Sequence, residues 1–227
     1  MIRRLTALLF IFWFCLGCIA QGASWLPLGV PQASGLAIDG FINGHASSSP
    51  VIVSLTTTKT NDVITVFVAQ NACTYTGISV SDTASLTWAR RATNFGSTSA
   101  NEFSAVSSGI LSSDSITVAC SGASYLEATA FGVSGGHIAA PYDTNGALPY
   151  QANSGNASIT TSNANDMLLA FFRASTNACS TSGFAAIGTG NFSCAQYLVV
   201  STTQSALSVT APSGTNGVIG DALIKGP

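Results

Sequence analysis

The chain has 227 residues, of which 47% are hydrophobic and only 7% are charged, and its formal net charge is −2. Soluble domains usually carry about 25% charged residues, so uncharged polar residues must cover most of this surface. No basic cluster that could neutralise phosphates is present, which argues against a nucleic acid as partner.

The N-terminus has the pattern of a secretory signal peptide. Met1–Arg4 is a short basic segment, and the uncharged apolar stretch Leu5–Ala20 falls short of the about 20 residues that a membrane-spanning helix needs. We therefore assign residues 1–22 to a signal peptide and expect a secreted protein. As an alternative, Leu16-Gly17-Cys18 resembles the end of a bacterial lipoprotein signal, which predicts a lipid on Cys18 and a cell-surface anchor.

Short runs rich in Val, Ile, Thr and Phe follow, separated by Ser, Gly, Asn and Asp, a pattern that indicates strands and no helix. Residues 23–50 are predicted to be a lead-in and residues 51–227 the folded domain. Strands are predicted at Val51–Thr56, Asp62–Gln70, Ile78–Asp82, Thr87–Thr93, Asn101–Ser107, Asp114–Ala119, Tyr125–Val133, Ala157–Thr161, Asp166–Ala174, Ala185–Ile187, Ala195–Ser201, Ala206–Thr210 and Val218–Ile224.

The domain repeats itself, with half-repeats at about 51–133 and 156–225. Asn61-Asp62 before one apolar run matches Asn165-Asp166 before another, and Asn101-Glu102-Phe103 parallels Ala195-Gln196-Tyr197. Similarly, Tyr125–Val133 parallels Asn216–Ile224. We predict an all-β fold, a jelly-roll-like antiparallel β-sandwich in which the two similar halves together supply eight strands in two sheets. A tandem pair of independent domains is the rival arrangement.

Four cysteines lie beyond the signal, which in an exported chain predicts two disulfides. The repeat suggests one bridge in each half, Cys73–Cys120 and Cys179–Cys194. The closely spaced cysteine pairs typical of zinc sites are absent from the sequence, so no zinc site is expected.

Several segments resemble a loosely defined group of bacterial and phage-associated β-sandwich proteins. They are Asp62–Val68, Ile78–Ala84 with Leu86-Thr87-Trp88, Phe131–Gly135 and Ala140–Gly146. The resemblance covers roughly residues 50–224. It implies a jelly-roll-like sandwich on a cell or virion surface, and it implies no catalytic residues.

Two patterns could indicate an enzyme, and neither is convincing. Gly132–Gly136 has the Gly-x-Ser-x-Gly spacing of a hydrolase nucleophile around Ser134, with His137 beside it, but the α/β context that such a motif needs is missing. Glycoside hydrolysis needs two converging carboxyl groups, and Glu102 and Glu127 are expected to face solvent from their strands. We therefore assign no catalytic residue and expect no enzymatic activity.

Asp62 and Asp166 precede the two equivalent apolar strands, where aspartate commonly forms Asx turns. A structural calcium ion held by loop carboxylates, with Asp82, Asp143 and Asn145 as further candidate ligands, is the alternative. No other metal or cofactor is expected.

Aromatic side chains in loops are the candidate binding residues, because sugar rings stack on such groups. They are Tyr75, Phe95, Tyr142, Tyr150 and Phe192, whereas Trp88 and Phe131 are expected in the core. We predict a surface recognition or adhesion module that binds a glycan or surface polymer through loops. A self-associating structural subunit of an extracellular or virion assembly is the alternative, and a hydrolase is the third hypothesis.

Overall fold

The structure is a computed structural model that describes residues 35–94, 98–176, 178–179 and 181–227, without the side chain of Tyr75. The predicted signal peptide, Cys18 and Phe95 lie outside the described residues. Fifteen strands follow one another: β1 (Ala37–Ala46), β2 (Val51–Leu55), β3 (Asp62–Asn71), β4 (Ile78–Ser81), β5 (Ala89–Thr93), β6 (Thr98–Ser107), β7 (Asp114–Cys120), β8 (Tyr125–Ser134), β9 (Tyr150–Ala152), β10 (Ala157–Ile159), β11 (Asp166–Arg173), β12 (Ala185–Thr189), β13 (Ser193–Val199), β14 (Leu207–Val209) and β15 (Gly217–Ile224).

The prediction of an all-β antiparallel sandwich built from two similar halves is confirmed, and each predicted strand is present. Two strands were missed: β1 lies in the predicted lead-in and pairs with β8, and β9 lies in the connection between the halves and pairs with β15. The folded part therefore starts earlier than residue 51. Nowhere in the described ranges is there a helix with the length and apolar character needed to cross a membrane.

The first half forms two sheets by folding a long ribbon of paired strands. Strands β1 and β8, β2 and β7, and β3 and β6 are antiparallel partners. Sheet I has the strand order β1-β8-β3-β6-β5, and sheet II has the order β2-β7-β4. A ribbon that pairs its first strand with its last, and so on inward, gives the double-sheet jelly roll.

The second half repeats this path. Strands β9 and β15, β10 and β14, and β11 and β13 are partners. Sheet III has the order β12-β13-β11-β15-β9, and sheet IV pairs β10 with β14. Each half is thus a jelly roll by itself, which differs from the single eight-stranded sandwich that we predicted from both halves together.

The two halves pack through sheets I and III, so the layer order is II, I, III, IV. One apolar core lies between sheets I and II, a second between sheets III and IV, and a third between sheets I and III. Every residue of β11 is buried, and so is every residue of β3 except the last. A strand with such a continuous apolar run needs a layer on each face, which explains why the halves cannot remain separate.

Two equivalent phenylalanines mark the centre of the contact between the halves. Phe67 of β3 and Phe171 of β11 stack with ring centroids 4.7 Å apart and planes inclined by 2°. Each is five residues beyond the Asp that begins its strand, Asp62 or Asp166. A ring stacked on its own counterpart indicates a pseudo-two-fold axis between sheets I and III.

Both disulfides are present with the pairing that the repeat suggested, Cys73–Cys120 and Cys179–Cys194. They do not occupy equivalent places, because Cys120 ends β7 whereas Cys194 lies in β13, the counterpart of β6. Two disulfides are compatible with an oxidising compartment.

Candidate functional site

A groove of about 790 Å³ runs along β5, the edge strand of sheet I. Its walls come from the loop that precedes β5, the end of β6 with the loop behind it, and the segment after β8. The lining residues are Ala84, Ser85, Leu86, Thr87, Ala89, Arg90, Arg91, Ser104 to Leu111, Pro141 and Tyr142. We call this the β5 groove.

A buried ion pair lies at the wall of the β5 groove. Arg91 reaches from sheet I to Asp221 on β15 of sheet III, with Nε donating to Oδ2 at 2.8 Å and Nη2 donating to Oδ1 at 3.2 Å. Asp221 has no exposed surface, and the Arg91 side chain is 25% exposed. The Arg91 guanidinium also lies 4.4 Å from the centre of the Tyr142 ring. A bidentate pair of this kind fixes Arg91 firmly against the second half.

Glu102 lies behind this pair and is completely buried. Burial raises the pKa of Glu102 well above its usual value, and the charge of Asp221 raises it further. The Tyr142 hydroxyl lies close to the carboxyl group, although outside good hydrogen-bond geometry. Because Asp221 holds Arg91, the negative charge of Asp221 is balanced, whereas the raised pKa of Glu102 favours its protonated form. We call Arg91, Glu102, Tyr142 and Asp221 the quartet.

The pseudo-two-fold axis allows the quartet to be compared with its counterparts at the other end of the contact. From the strand register and the matching bulges in β5 and β12, Ile187 is the counterpart of Arg91 in the other half. Ala195 is likewise the counterpart of Glu102. The same comparison relates Phe131 to Asp221 and Ile38 to Tyr142. These four counterparts are apolar and pack in or against the core between the halves. The fold therefore does not require polar groups at these positions.

The expectation that both glutamates face solvent was wrong. Glu102 and Glu127 point away from sheet II, but sheet III covers that face of sheet I, so they are 0% and 2% exposed. Glu127 accepts hydrogen bonds from the backbone N–H groups of Asn191 and Phe192, at 3.1 Å each, and from the hydroxyls of Tyr125 and Ser193. This carboxylate joins the two halves at the end of the contact away from the quartet. The two glutamates form separate clusters, as far as the described residues show.

The predicted binding aromatics do not form one surface. Tyr142 lines the β5 groove, Tyr150 starts β9 and packs against the core of the second half, and Phe192 packs edge-on against Tyr125 with centroids 5.0 Å apart. The Tyr75 side chain and Phe95 lie outside the described atoms. Of the two aromatics expected in the core, Phe131 is fully buried and Trp88 is only partly buried, with its indole N–H donating to Asp82.

The aligned aspartates form a second duplicated feature, which is a pair of carboxyl groups in each half. Asp39 accepts hydrogen bonds from the backbone N–H groups of Thr58 and Lys59 at 2.8 and 2.7 Å, and it contacts Asp62. Burial works against ionisation of Asp39, but these hydrogen bonds outweigh it and lower the pKa. Burial first, and then the contact with Asp39, raises the pKa of Asp62 to about 7.

The second half contains the same arrangement. Asp143 accepts hydrogen bonds from the backbone N–H groups of Asn145, Ser162 and Asn163, at 2.7 to 2.8 Å, and contacts Asp166. Burial and the contact with Asp143 raise the pKa of Asp166 to about 8. In each pair the pKa of the aspartate among N–H donors is lowered and the pKa of its buried neighbour is raised. Donors around Asp39 and Asp143 repel a cation, and no group of three acidic, His or Cys side chains suited to a metal occurs in the described ranges.

These pairs predict that stability falls as the pH rises towards 8. The folded chain keeps protons on Asp62 and Asp166 that the unfolded chain loses near pH 4, so raising the pH favours unfolding until the folded groups titrate. We expect the free energy of unfolding to fall by about 1–2 kcal/mol per pair between pH 5 and pH 9. This is less than the full pKa shift implies, because the effective dielectric constant around buried groups is moderate. Urea unfolding at several pH values measures it.

The matched variants are Asp62→Asn and Asp166→Asn, which keep an N–H donor towards Asp39 or Asp143 but cannot ionise. The double variant should show a flatter pH profile than the native chain and equal or greater stability at pH 9. Asp39→Asn, which loses the ionised acceptor for Thr58 and Lys59, should be less stable at pH 5, where Asp62 still holds its proton. An unchanged profile in the double variant would show that these protons are not bound in the folded state.

The quartet was missed by sequence reasoning except for Tyr142. The signal was present, since a charged residue stands where the other repeat has an apolar one, but the repeats were aligned one residue out of register at β6 and β15. Such a slip exchanges the two faces of a strand, so Glu102 was compared with Gln196 instead of Ala195. Comparison with protein-family models, with curated proteins and with solved structures finds no match for this chain.

Proposed function

We propose that this protein is an exported, non-enzymatic recognition module that binds a glycan in the β5 groove. The observation that carries the proposal is the difference between the two ends of the contact between the halves. The four positions that match the quartet at the other end are apolar, whereas the end beside the groove has the quartet in their place. Burying an ion pair is often no better for stability than apolar packing, so a function at the groove accounts for the quartet better than stability does.

The chemistry of the groove supports a sugar ligand. Two serines, two arginines and a tyrosine are among the residues that line the groove: Ser104, Ser108, Arg90, Arg91 and Tyr142. Sugars offer hydroxyl groups for hydrogen bonds and C–H faces for aromatic contact, and a few polar groups in a largely apolar cleft are typical of ligand sites. The carboxyl groups of the quartet are buried behind Arg91 and Tyr142, which argues against their use as catalytic acids.

Retention on polysaccharide gels tests the proposal. Thr87→Leu together with Ser108→Leu changes two exposed groove residues to larger apolar ones, and we expect retention to fall about tenfold or more, since a filled pocket loses its polar contacts with the ligand. Ser54→Leu with Ser79→Leu, two exposed serines on sheet II outside the groove, is the matched control. Equal retention of both variants would place the binding site elsewhere, and turnover of the polysaccharide by the native chain would favour the hydrolase hypothesis.

A further inference from the structure

The charges around the β5 groove are unbalanced. Two of its lining residues are arginines, and no described residue that lines it is acidic. The chain as a whole has only seven basic residues against nine acidic ones. Whether this groove carries a net positive charge therefore depends on how each arginine is paired.

The two arginines differ in how far their charge is balanced. Arg91 is paired with Asp221, which balances its charge. Arg90 donates from Nη2 to the backbone oxygen of Ile78 at 2.7 Å, and its guanidinium lies 5.1 Å from the centre of the Phe103 ring. Across the described ranges, Arg91–Asp221 is the one ion pair, so Arg90 has no acidic partner there.

Nearby acids do not balance Arg90. Asp82, in the loop before β5, accepts hydrogen bonds from Leu86 N–H and from the Trp88 indole, and it does not line the groove. Asp114 is held by the N–H groups of Thr83 and Ala84, at 3.1 and 2.9 Å. Arg90 is partly buried, and burial lowers the pKa of its guanidinium. Arg90 lines the groove, and a partly desolvated cation without an acidic partner is stabilised by an anionic ligand.

We infer that the glycan bound in the β5 groove is acidic, and that a sugar carboxylate pairs with Arg90. This inference rests on the proposed function and specifies its ligand class. Guanidinium and carboxylate match in a planar, two-bond geometry that a neutral sugar cannot offer. Arg91, held by Asp221 and stacked on Tyr142, shapes the wall next to this contact.

Three polymers separate the outcomes: polygalacturonate with carboxylates, dextran sulfate with sulfates and neutral dextran. We expect polygalacturonate to be retained, dextran to pass unretarded, and retention to weaken by about tenfold between about 50 mM and 500 mM salt, because salt screens an exposed ion pair. Arg90→Gln should lower retention on polygalacturonate about tenfold. Lys59→Gln, which removes the same charge from an exposed residue outside the groove, should change it little.

Each contrary result has a separate meaning. Retention of dextran equal to that of polygalacturonate, or equal retention of Arg90→Gln and Lys59→Gln, overturns the assignment of an acidic ligand and leaves a glycan site standing. Preference for dextran sulfate over polygalacturonate overturns the carboxylate contact. If none of the three polymers nor any wider glycan panel is retained by the folded protein, the proposed function itself fails.

Discussion

Replacing Phe171 with alanine should lower the free energy of unfolding by about 3–5 kcal/mol, the range for removing a buried aromatic ring from a packed core. Phe171 has no exposed surface and stacks on Phe67 at the centre of the contact between the halves. Phe67→Ala should have a similar effect, because either substitution removes the same stacked pair of rings. Denaturant unfolding followed by fluorescence or circular dichroism measures both.

The two single variants should not be additive. Each ring is half of one stacked pair, so the double variant should lose less than the sum of the single losses, as residues in direct contact usually do. Phe192→Ala, which removes a ring that is 39% exposed at the surface, is the matched control and should lose much less. Losses below about 1 kcal/mol in Phe171→Ala would show that the halves do not pack as described.

This pair also decides whether the halves unfold together. The apolar core that contains Phe67 and Phe171 lies between sheets I and III. Separating the halves would expose the apolar faces of both sheets to water. We expect one cooperative transition for the native chain, with coincident changes in all probes. Two separated transitions would indicate that each jelly roll is stable alone, as in a tandem pair of independent domains.

The strands could be predicted because apolar and polar residues alternate along them and turn residues recur at short intervals. Asp114–Cys120 alternates buried and half-buried residues along its length, as expected of a strand with one face in the core and one towards solvent. The same reasoning failed for Glu102 and Glu127. Alternation tells which residues share a face, but it does not tell whether that face meets water or another sheet.

The continuous apolar runs were the evidence for a third core. Val63–Val68 and Met167–Phe172 each lie in the central strand of one jelly roll and are covered on both faces. A central strand in a two-layer sandwich has one face open to water, so a run that is apolar on both faces indicates four layers. The edge strand β1 was not predicted because its alternation of polar and apolar residues is interrupted at a bulge, where Gly40 has a φ of +82°.

The quartet could be inferred only after strand register was known. Arg91, Glu102 and Asp221 are far apart in sequence and are brought together by the packing of sheet I on sheet III. A local sequence motif does not encode this contact. The repeat encodes it indirectly, through the apolar residues Ile187, Ala195 and Phe131 at the matching positions.

Replacing Arg91 with isoleucine, its counterpart in the other half, should lower the free energy of unfolding by about 3–5 kcal/mol. The substitution leaves Asp221 completely buried without its cation, and an uncompensated buried charge is strongly destabilising. The loss should shrink as the pH falls, because Asp221, whose pKa is raised chiefly by burial, takes up a proton more readily than an ordinary aspartate. Lys59→Ile, at an exposed cation, controls for the lost charge.

The variant that changes the whole quartet to its counterparts separates stability from function. Arg91→Ile, Glu102→Ala, Tyr142→Ile and Asp221→Phe together give the quartet positions the apolar residues of their counterparts. Replacing a buried ion pair by packed apolar groups is often neutral or stabilising by about 1–4 kcal/mol. We expect this variant to regain the stability that Arg91→Ile loses and to lose retention on polygalacturonate. A folded variant that still binds would remove the quartet from the site. A variant far less stable than Arg91→Ile would mean that the quartet is needed for packing, and the difference between the two ends would then carry no argument for function.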